Sequence, residues 1–382
     1  MEINMIKILF IHNKLVCGGA EQALFDLVTL MDKTKFDITV LVQYDGGIWE
    51  DKFKEAGIRV LSIWDCQKKS HNPLIKLQNQ YKRKKIVKAL NHDGEGLLDV
   101  CIKEKFDIIV SYNGSTLQSM CFAKNAKTVK YIHGDIDTNP EFCKNILNIL
   151  DSICRFDRIV CVSDTAKTSF EKITGLRKGI IHHYNPLNSE KVTKLSLQEV
   201  NIQNSMPYIC AVGRLAPEKG YERLIRIHKR IINDGIFHNL IIVGDGPEKD
   251  NLMHMIASEH VDETVIMMGY QANPYPYIKQ SLFFVCSSFT EGLPVIAMES
   301  LALGVPIVSS APSVGEVFGD VECGLITGND DSSLEAGIRK MLTDESFYQR
   351  MKKGAEQRST FFDGKRMVKE IEHELISLIN EK

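Results

Sequence analysis

Through most of the chain, short apolar runs alternate with longer stretches in which apolar positions recur at helical spacing. In the first half the runs fall at residues 6–11, 36–42, 59–63, 106–111, 128–133 and 158–162. Helical patterns start near Ala20, Glu50 and Ser163. The second half starts over, with runs at 208–212, 239–243, 264–268, 282–286, 306–309 and 324–327. Continuous apolar strands separated by helices point to parallel sheets covered on both faces, an α/β architecture built twice. The break falls at residues 182–187, where Pro186 interrupts and a polar stretch follows. Two domains are therefore expected, 1–186 and 187–360, followed by a terminal helix over 361–382. The halves share architecture but no short tandem repeat.

The chain's 382 residues exceed one ordinary core and suit two domains. The apolar run after Met5 is too short for a signal peptide, and no run approaches a membrane span. Ten cysteines form no Cys-x-x-Cys pair and read as reduced thiols of a cytoplasmic protein. A net charge of −2 hides an asymmetry: residues 1–188 carry 27 Lys+Arg against 22 Asp+Glu. The first half is thus the candidate for meeting something anionic.

In open α/β sheets ligands bind outside the carboxyl ends of the strands, so the chemistry is sought in strand-end loops. The loop after residues 282–286 runs Ser-Ser-Phe-Thr-Glu-Gly-Leu-Pro and enters a helix with Pro294 at its first position and Gly304 beyond its end. Glu299 stands inside that helix among apolar residues, a costly place for a carboxylate unless something bonds to it. Were Glu291 also helical, eight positions would separate the two glutamates by about 12 Å. That distance suits hydroxyl-bearing groups on either side of a diphosphate. Gly213-Arg214-Leu215-Ala216-Pro217-Glu218-Lys219-Gly220 puts two cations on another strand-end loop. Solvated surface charge is the plain reading of such residues. Fixed positive charge is also what a departing diphosphate needs. Gly18 and Gly19 open a helix after the first strand, where paired glycines let a backbone approach a ligand or simply make a turn.

The Glu-x7-Glu stretch in its EGLPVIAMES context resembles the signature of retaining GT-B glycosyltransferases, specifically their large fourth family, group 1, which makes bacterial polysaccharides and glycolipids. The resemblance is tight over residues 208–327 and looser before them. It implies a GT-B fold, two Rossmann-like domains whose parallel sheets face each other across an inter-domain cleft. It further implies transfer of a hexose from a nucleotide-diphosphate sugar, commonly UDP-linked, to a glycan or lipid-linked acceptor with retention. Carried over residue by residue, Arg214 and Lys219 would hold the diphosphate, Glu291 the transferred sugar and Glu299 the ribose. Gly292 and Leu293 belong to the same loop, and Gly269 and Tyr270 resemble the segment that meets the base. Gly18 and Gly19 resemble the phosphate-facing loop, and His133 the histidine near the transferred sugar. No cofactor, metal or nucleic acid is implied. Asp135-Ile136-Asp137 has an Asp-x-Asp form but is read as a turn or helix start.

Residues 68–88 carry eight basic side chains and no acidic one, with Leu74, Leu77 and Tyr81 near one helical face. Such a helix suits an anionic membrane surface, or is simply a solvated face. A cytoplasmic enzyme lying at the inner face of the cell membrane is the expectation. The alternatives are a sugar-nucleotide epimerase of the same fold and a non-catalytic partner of another transferase.

Overall fold

The computed structural model of the chain describes residues 5–16, 18–64, 72–90, 98, 102, 104–113, 126–137, 140–200, 202 and 206–381. They form two compact units, Met1–Pro186 with Gly364–Lys382, and Leu187–Asp363.

The first unit holds seven strands: β1 (Ile6–His12), β2 (Phe36–Val42), β3 (Arg59–Ser62), β4 (Ile108–Asn113), β5 (Lys127–Ile132), β6 (Arg158–Cys161) and β7 (Ile180–His182). All pair in parallel, in the order β3-β2-β1-β4-β5-β6-β7. The short β7 carries too few apolar positions to stand out in the sequence. Ile8, Leu9, Phe10 and Ile11 are all buried, as expected of a central strand covered on both faces. Ser163 starts the Asp164–Thr174 helix by accepting from the Ala166 amide at 2.9 Å. The Gly364–Asn380 helix belongs to this unit, where Glu372 Oε1 accepts from the Asp32 amide at 2.6 Å. Glu374 Oε1 likewise accepts from Arg158 Nε at 2.6 Å.

The basic stretch is described from Asn72 onward, and its Pro73–Leu90 helix carries six basic residues and no acidic one. Ile86 anchors it in the core, while Leu74 (71%), Leu77 (66%) and Tyr81 (63%) are exposed. Residues 68–71 lie outside the described residues.

The second unit has six parallel strands: β8 (Tyr208–Val212), β9 (Asn239–Val243), β10 (Val265–Gly269), β11 (Phe284–Cys286), β12 (Ile307–Ser309) and β13 (Gly324–Ile326). Their order is β10-β9-β8-β11-β12-β13. Its core gathers Ile209, Leu224, Ile227, Leu240, Ile242, Phe283 and Val308. In each sheet the strand order reverses beside the first strand, at β1/β4 and at β8/β11. Such a switch point leaves a crevice at the carboxyl ends of the two strands. The helix after β11 covers Val295–Ala302 with Pro294 as its cap, one residue outside the expected position. Glu291 therefore precedes the helix, and the 12 Å spacing along a shared helix does not apply.

Candidate active site

In the second unit the loops after β8 and β11 meet at the switch point. Val212 leads into Gly213, whose amide donates to Val243 O at 3.0 Å, and Leu215 N donates to Asp245 O at 3.0 Å. The loop after β9 is so close that a Cβ on Gly244 would lie 1.9 Å from Gly213 O. Only glycine allows that approach. Pro217–Lys219 then form one 3-10 turn ending at Gly220.

This turn is sewn to the loop after β11. Ser287 Oγ donates to Lys219 O at 2.8 Å, and Phe289 N donates to Glu218 O at 2.9 Å. The half-buried Lys219 Nζ lies 2.6 Å from Glu291 Oε1, which also accepts from Ser288 Oγ at 2.6 Å. Arg214 is exposed and pairs with Glu218 at 2.6 Å. The fold thus brings Arg214, Lys219 and Glu291 to one pair of adjoining loops, with Lys219 and Glu291 in direct contact. Gly292 and Leu293 continue the loop, and the start of the Val295–Ala302 helix carries no side-chain cap. An uncapped helix start offers unpaired amides to an anion.

Glu299 is buried, and the Tyr275 hydroxyl donates to its Oε1 at 2.8 Å. A tyrosine from the Pro-flanked segment ahead of β11 thus supplies this carboxylate with a hydrogen-bond partner in its apolar surroundings. At the end of β10 a side chain on Gly269 would meet nothing within 4 Å, and the neighbouring Tyr270 is half exposed.

In the first unit, His133 follows β5 directly. Its Nε2 lies 2.9 Å from Tyr112 O. A carbonyl only accepts, so Nε2 carries the proton and Nδ1 is left as an acceptor. The ring stacks 5.8 Å from Tyr131 and lies 4.5 Å from Tyr112. Burial, with His12 and Lys130 nearby, pulls its pKa down to about 3, so the imidazole is neutral.

Gly18 caps the Gly19–Leu30 helix in an extended conformation. The position in front of that helix is occupied: a Cβ on Gly18 would meet Glu21 Oε2 at 2.5 Å. Glu21 Oε1 also lies 3.6 Å from His12 Nε2. Burial pushes the Glu21 carboxyl up to about 7 and His12 down to about 4, so the contact favours neutral groups over an ion pair. The paired glycines thus frame a protein carboxyl, a feature their spacing did not disclose. Asp135 Oδ1 accepts from the Asp137 amide at 2.9 Å, and Asp137 pairs with Lys172 at 2.6 Å, as a turn motif does.

Residue types alone passed over Tyr275, Ser288 and Arg223. Arg223 carried the clearest signal, standing at i, i+4 and i+8 with Ile227 and Ile231 on an apolar helix face.

Residues 193–358 match the family model Glycosyl transferases group 1. The chain is 27% identical over 372 residues to the N-acetylgalactosamine-N,N'-diacetylbacillosaminyl-diphospho-undecaprenol 4-alpha-N-acetylgalactosaminyltransferase of Campylobacter jejuni, across 93% of this chain and 95% of the relative. It is 25% identical over 251 residues to the lipopolysaccharide core biosynthesis glycosyltransferase LpsE of Rhizobium meliloti, across 65% and 69% of the two chains. Anabaena Alr3699/HepE, solved in complex with UDP-glucose, is similar over 97% of this chain and 100% of that one, with 20% identity and a TM-score of 0.74. The fold is GT-B, two Rossmann-like α/β domains with parallel sheets of seven and six strands.

Proposed function

We propose that this protein is a retaining glycosyltransferase that moves a hexose from a UDP-sugar to a hydroxyl of a glycan or lipid-linked acceptor in bacterial surface polysaccharide synthesis. The observation that carries the proposal is the Lys219–Glu291 contact between the loops after β8 and β11, where an open α/β sheet binds its ligand. The family model over residues 193–358 and the names of the relatives support the same reading.

In this reading Lys219 directs one of its three donors at Glu291 and offers the others to phosphate oxygens. Arg214 adds a second cation on the same loop. As the glycosidic bond breaks, negative charge grows on the diphosphate, and fixed cations stabilise that charge more than the ground state. Glu291 accepts from sugar hydroxyls and Glu299 from the ribose. Gly269 and Tyr270 meet the base, while Gly292, Leu293 and the helix start after Pro294 line the phosphates. In the first unit, neutral His133 has Nδ1 left as an acceptor suited to a hydroxyl, while Gly18 and Gly19 frame the Glu21 carboxyl and are given no ligand. Side-chain cations supply the charge without a metal, so EDTA should leave the rate unchanged.

The Pro73–Leu90 helix gives the acceptor side a setting. Its exposed Leu74, Leu77 and Tyr81 lie beside six basic residues, and an anionic lipid surface complements both features. Among the described residues no helix is long and apolar enough to cross a membrane. These exposed apolar and basic side chains support a proposed site of action at the inner face of the cell membrane.

A thermal-shift panel of UDP-, GDP-, ADP- and dTDP-sugars tests the donor, because a ligand bound only by the folded state raises its melting temperature. A shift with UDP-sugars is expected. Shifts with GDP or ADP compounds and none with UDP would overturn the donor assignment.

A further inference from the structure

Arg223 is 2% exposed on the Tyr221–Asn233 helix, and no hydrogen bond described for it goes to a carboxylate. Its guanidinium instead directs its donors to the loop after β11, to Ser310 after β12 and to Asn329. Nε donates to Ser287 O at 2.9 Å, and Nη2 reaches Ser287 O at 2.5 Å and Ser288 O at 3.2 Å. Nη2 also reaches Ser310 Oγ at 2.6 Å and Asn329 Oδ1 at 3.1 Å, while Nη1 donates to Asn329 O at 3.1 Å. The Phe289 ring covers the guanidinium at 4.0 Å, and Asn329 Nδ2 donates back to Phe289 O at 2.8 Å. A buried cation is costly unless its donors are satisfied, and here backbone carbonyls of a single loop do much of that.

The clamped residues sit beside those assigned to the donor. Ser288, held through its carbonyl, donates through its hydroxyl to Glu291 Oε1 at 2.6 Å. Ser287, held the same way, donates its hydroxyl to Lys219 O at 2.8 Å. From these contacts, and resting on the donor reading above, we infer that Arg223 is the positioning residue for the Lys219–Glu291 pair. It fixes the Ser287–Phe289 backbone so that Glu291 faces the transferred sugar. The planar fork matters because one group must span Ser287 O and Asn329 at once, which a lysine ammonium cannot do.

The test compares the parent with Arg223→Lys, Glu291→Gln and the double variant. Calorimetry measures bare UDP and whichever of UDP-glucose, UDP-galactose and their 2-acetamido counterparts binds the parent best. Arg223→Lys should weaken the UDP-sugar roughly ten- to a hundredfold more than it weakens UDP, the scale of a lost hydrogen bond to a charged group. The double variant should be no worse than Glu291→Gln, because both changes remove one interaction. Equal weakening of UDP and UDP-sugar, or additive losses in the double variant, would overturn the inference. Should Arg223→Lys not fold, Asn329→Ala keeps the backbone carbonyl but removes the Oδ1 contact to Nη2 and the Nδ2 bond to Phe289 O, and should shift the same ratio in the same direction. Hydrogen exchange of the segment 287–291 reads the clamp without any ligand. Faster exchange there, with β8 and β11 still protected, supports the clamp, and unchanged exchange refutes it. A parent that binds no UDP compound would sink the donor reading, while the exchange result still decides the clamp.

Discussion

Lys219 Nζ and Glu291 Oε1 stand 2.6 Å apart although 72 positions separate them in the chain. The contact joins the loops after two hydrogen-bonded neighbours, β8 and β11, on opposite sides of the point where the strand order reverses. In the proposed function, this cation meets the anionic part of the ligand and the carboxylate its hydroxyl-bearing part. The proposed roles of Arg214, Glu299, Gly269 and Tyr270 lie along the same unit, and each can be probed separately.

Glu299 is assigned to ribose hydroxyls, which do not change during transfer. Glu299→Gln should therefore weaken UDP and UDP-sugar to a similar degree, in ground state and transition state alike. Tyr275→Phe, which removes the 2.8 Å hydrogen bond that orients Glu299, should do the same more weakly. Calorimetry on both ligands checks this, and UDP binding as tight as the parent's in Glu299→Gln would remove the ribose assignment.

Gly220 holds the turn between Lys219 and the following helix at φ 64. A Cβ there would lie 2.3 Å from Ser287 O and 2.9 Å from Arg223 Nε. Gly220→Ala should cost at least about 1–2 kcal/mol from the left-handed backbone alone, with more from displacing Ser287. Urea titration should show a lowered midpoint together with weakened UDP-sugar binding. A parental midpoint would mean that the loop gives way without strain.

The second unit also contains a buried proton chain away from the donor loops. Ile236 O must accept from His238 Nδ1 at 3.1 Å, so His238 Nε2 accepts from His228 Nδ1 at 3.1 Å. His228 Nε2 then accepts from Thr264 Oγ1 at 2.9 Å. Burial, with His238 adjacent, pulls His228 down to about 3, and burial also lowers His238. The unfolded chain therefore binds more protons than the folded one between about pH 6.5 and pH 3. Stability from these groups is full above about 6.5 and is lost as pH falls, by at most roughly 1 kcal/mol per pH unit for each histidine. Glu21, raised to about 7, acts in the opposite sense in the first unit, so comparison with a His228 variant isolates the effect. Urea midpoints between pH 7.5 and 5 should fall less steeply in His228→Gln than in the parent. Equal slopes would contradict a neutral His228.

The repeated strands and helices were legible because buried parallel strands write continuous apolar runs, as at residues 36–42, 208–212 and 239–243, where pattern and structure coincide. The loops after β8 and β11 stood out as motifs, and the need of Glu299 for a partner followed from its apolar neighbours. The partners themselves were not. Tyr275 meets Glu299 across 24 positions and Arg223 meets Ser287 across 64, and a local pattern carries no record of such pairings. The start of the Gly19–Leu30 helix shows the same limit. Its glycines announced a close approach but not that the Glu21 carboxyl makes it.

If the Pro73–Leu90 helix docks on lipid, flotation with phosphatidylglycerol vesicles should be strong at low salt and weaken as salt rises. Changing Lys82, Arg83, Lys84 and Lys85 to glutamine should abolish it, and Leu74→Ser with Leu77→Ser should reduce it. Equal flotation with neutral phosphatidylcholine vesicles, or no effect of the quadruple change, would leave a solvated face.

The role of Lys219 is tested most directly by UDP release from a saturating UDP-sugar as water takes the sugar, measured for the parent and for Lys219→Ala, with donor affinity taken separately by calorimetry. A cation facing the oxygens of the departing diphosphate acts mainly in the transition state. Lys219→Ala should therefore lose roughly 10²–10³ in turnover, about 3–4 kcal/mol, with a smaller change in affinity. UDP release by Lys219→Ala at the parental rate, with donor saturating, would contradict the assignment of the Lys219–Glu291 loops to glycosyl transfer.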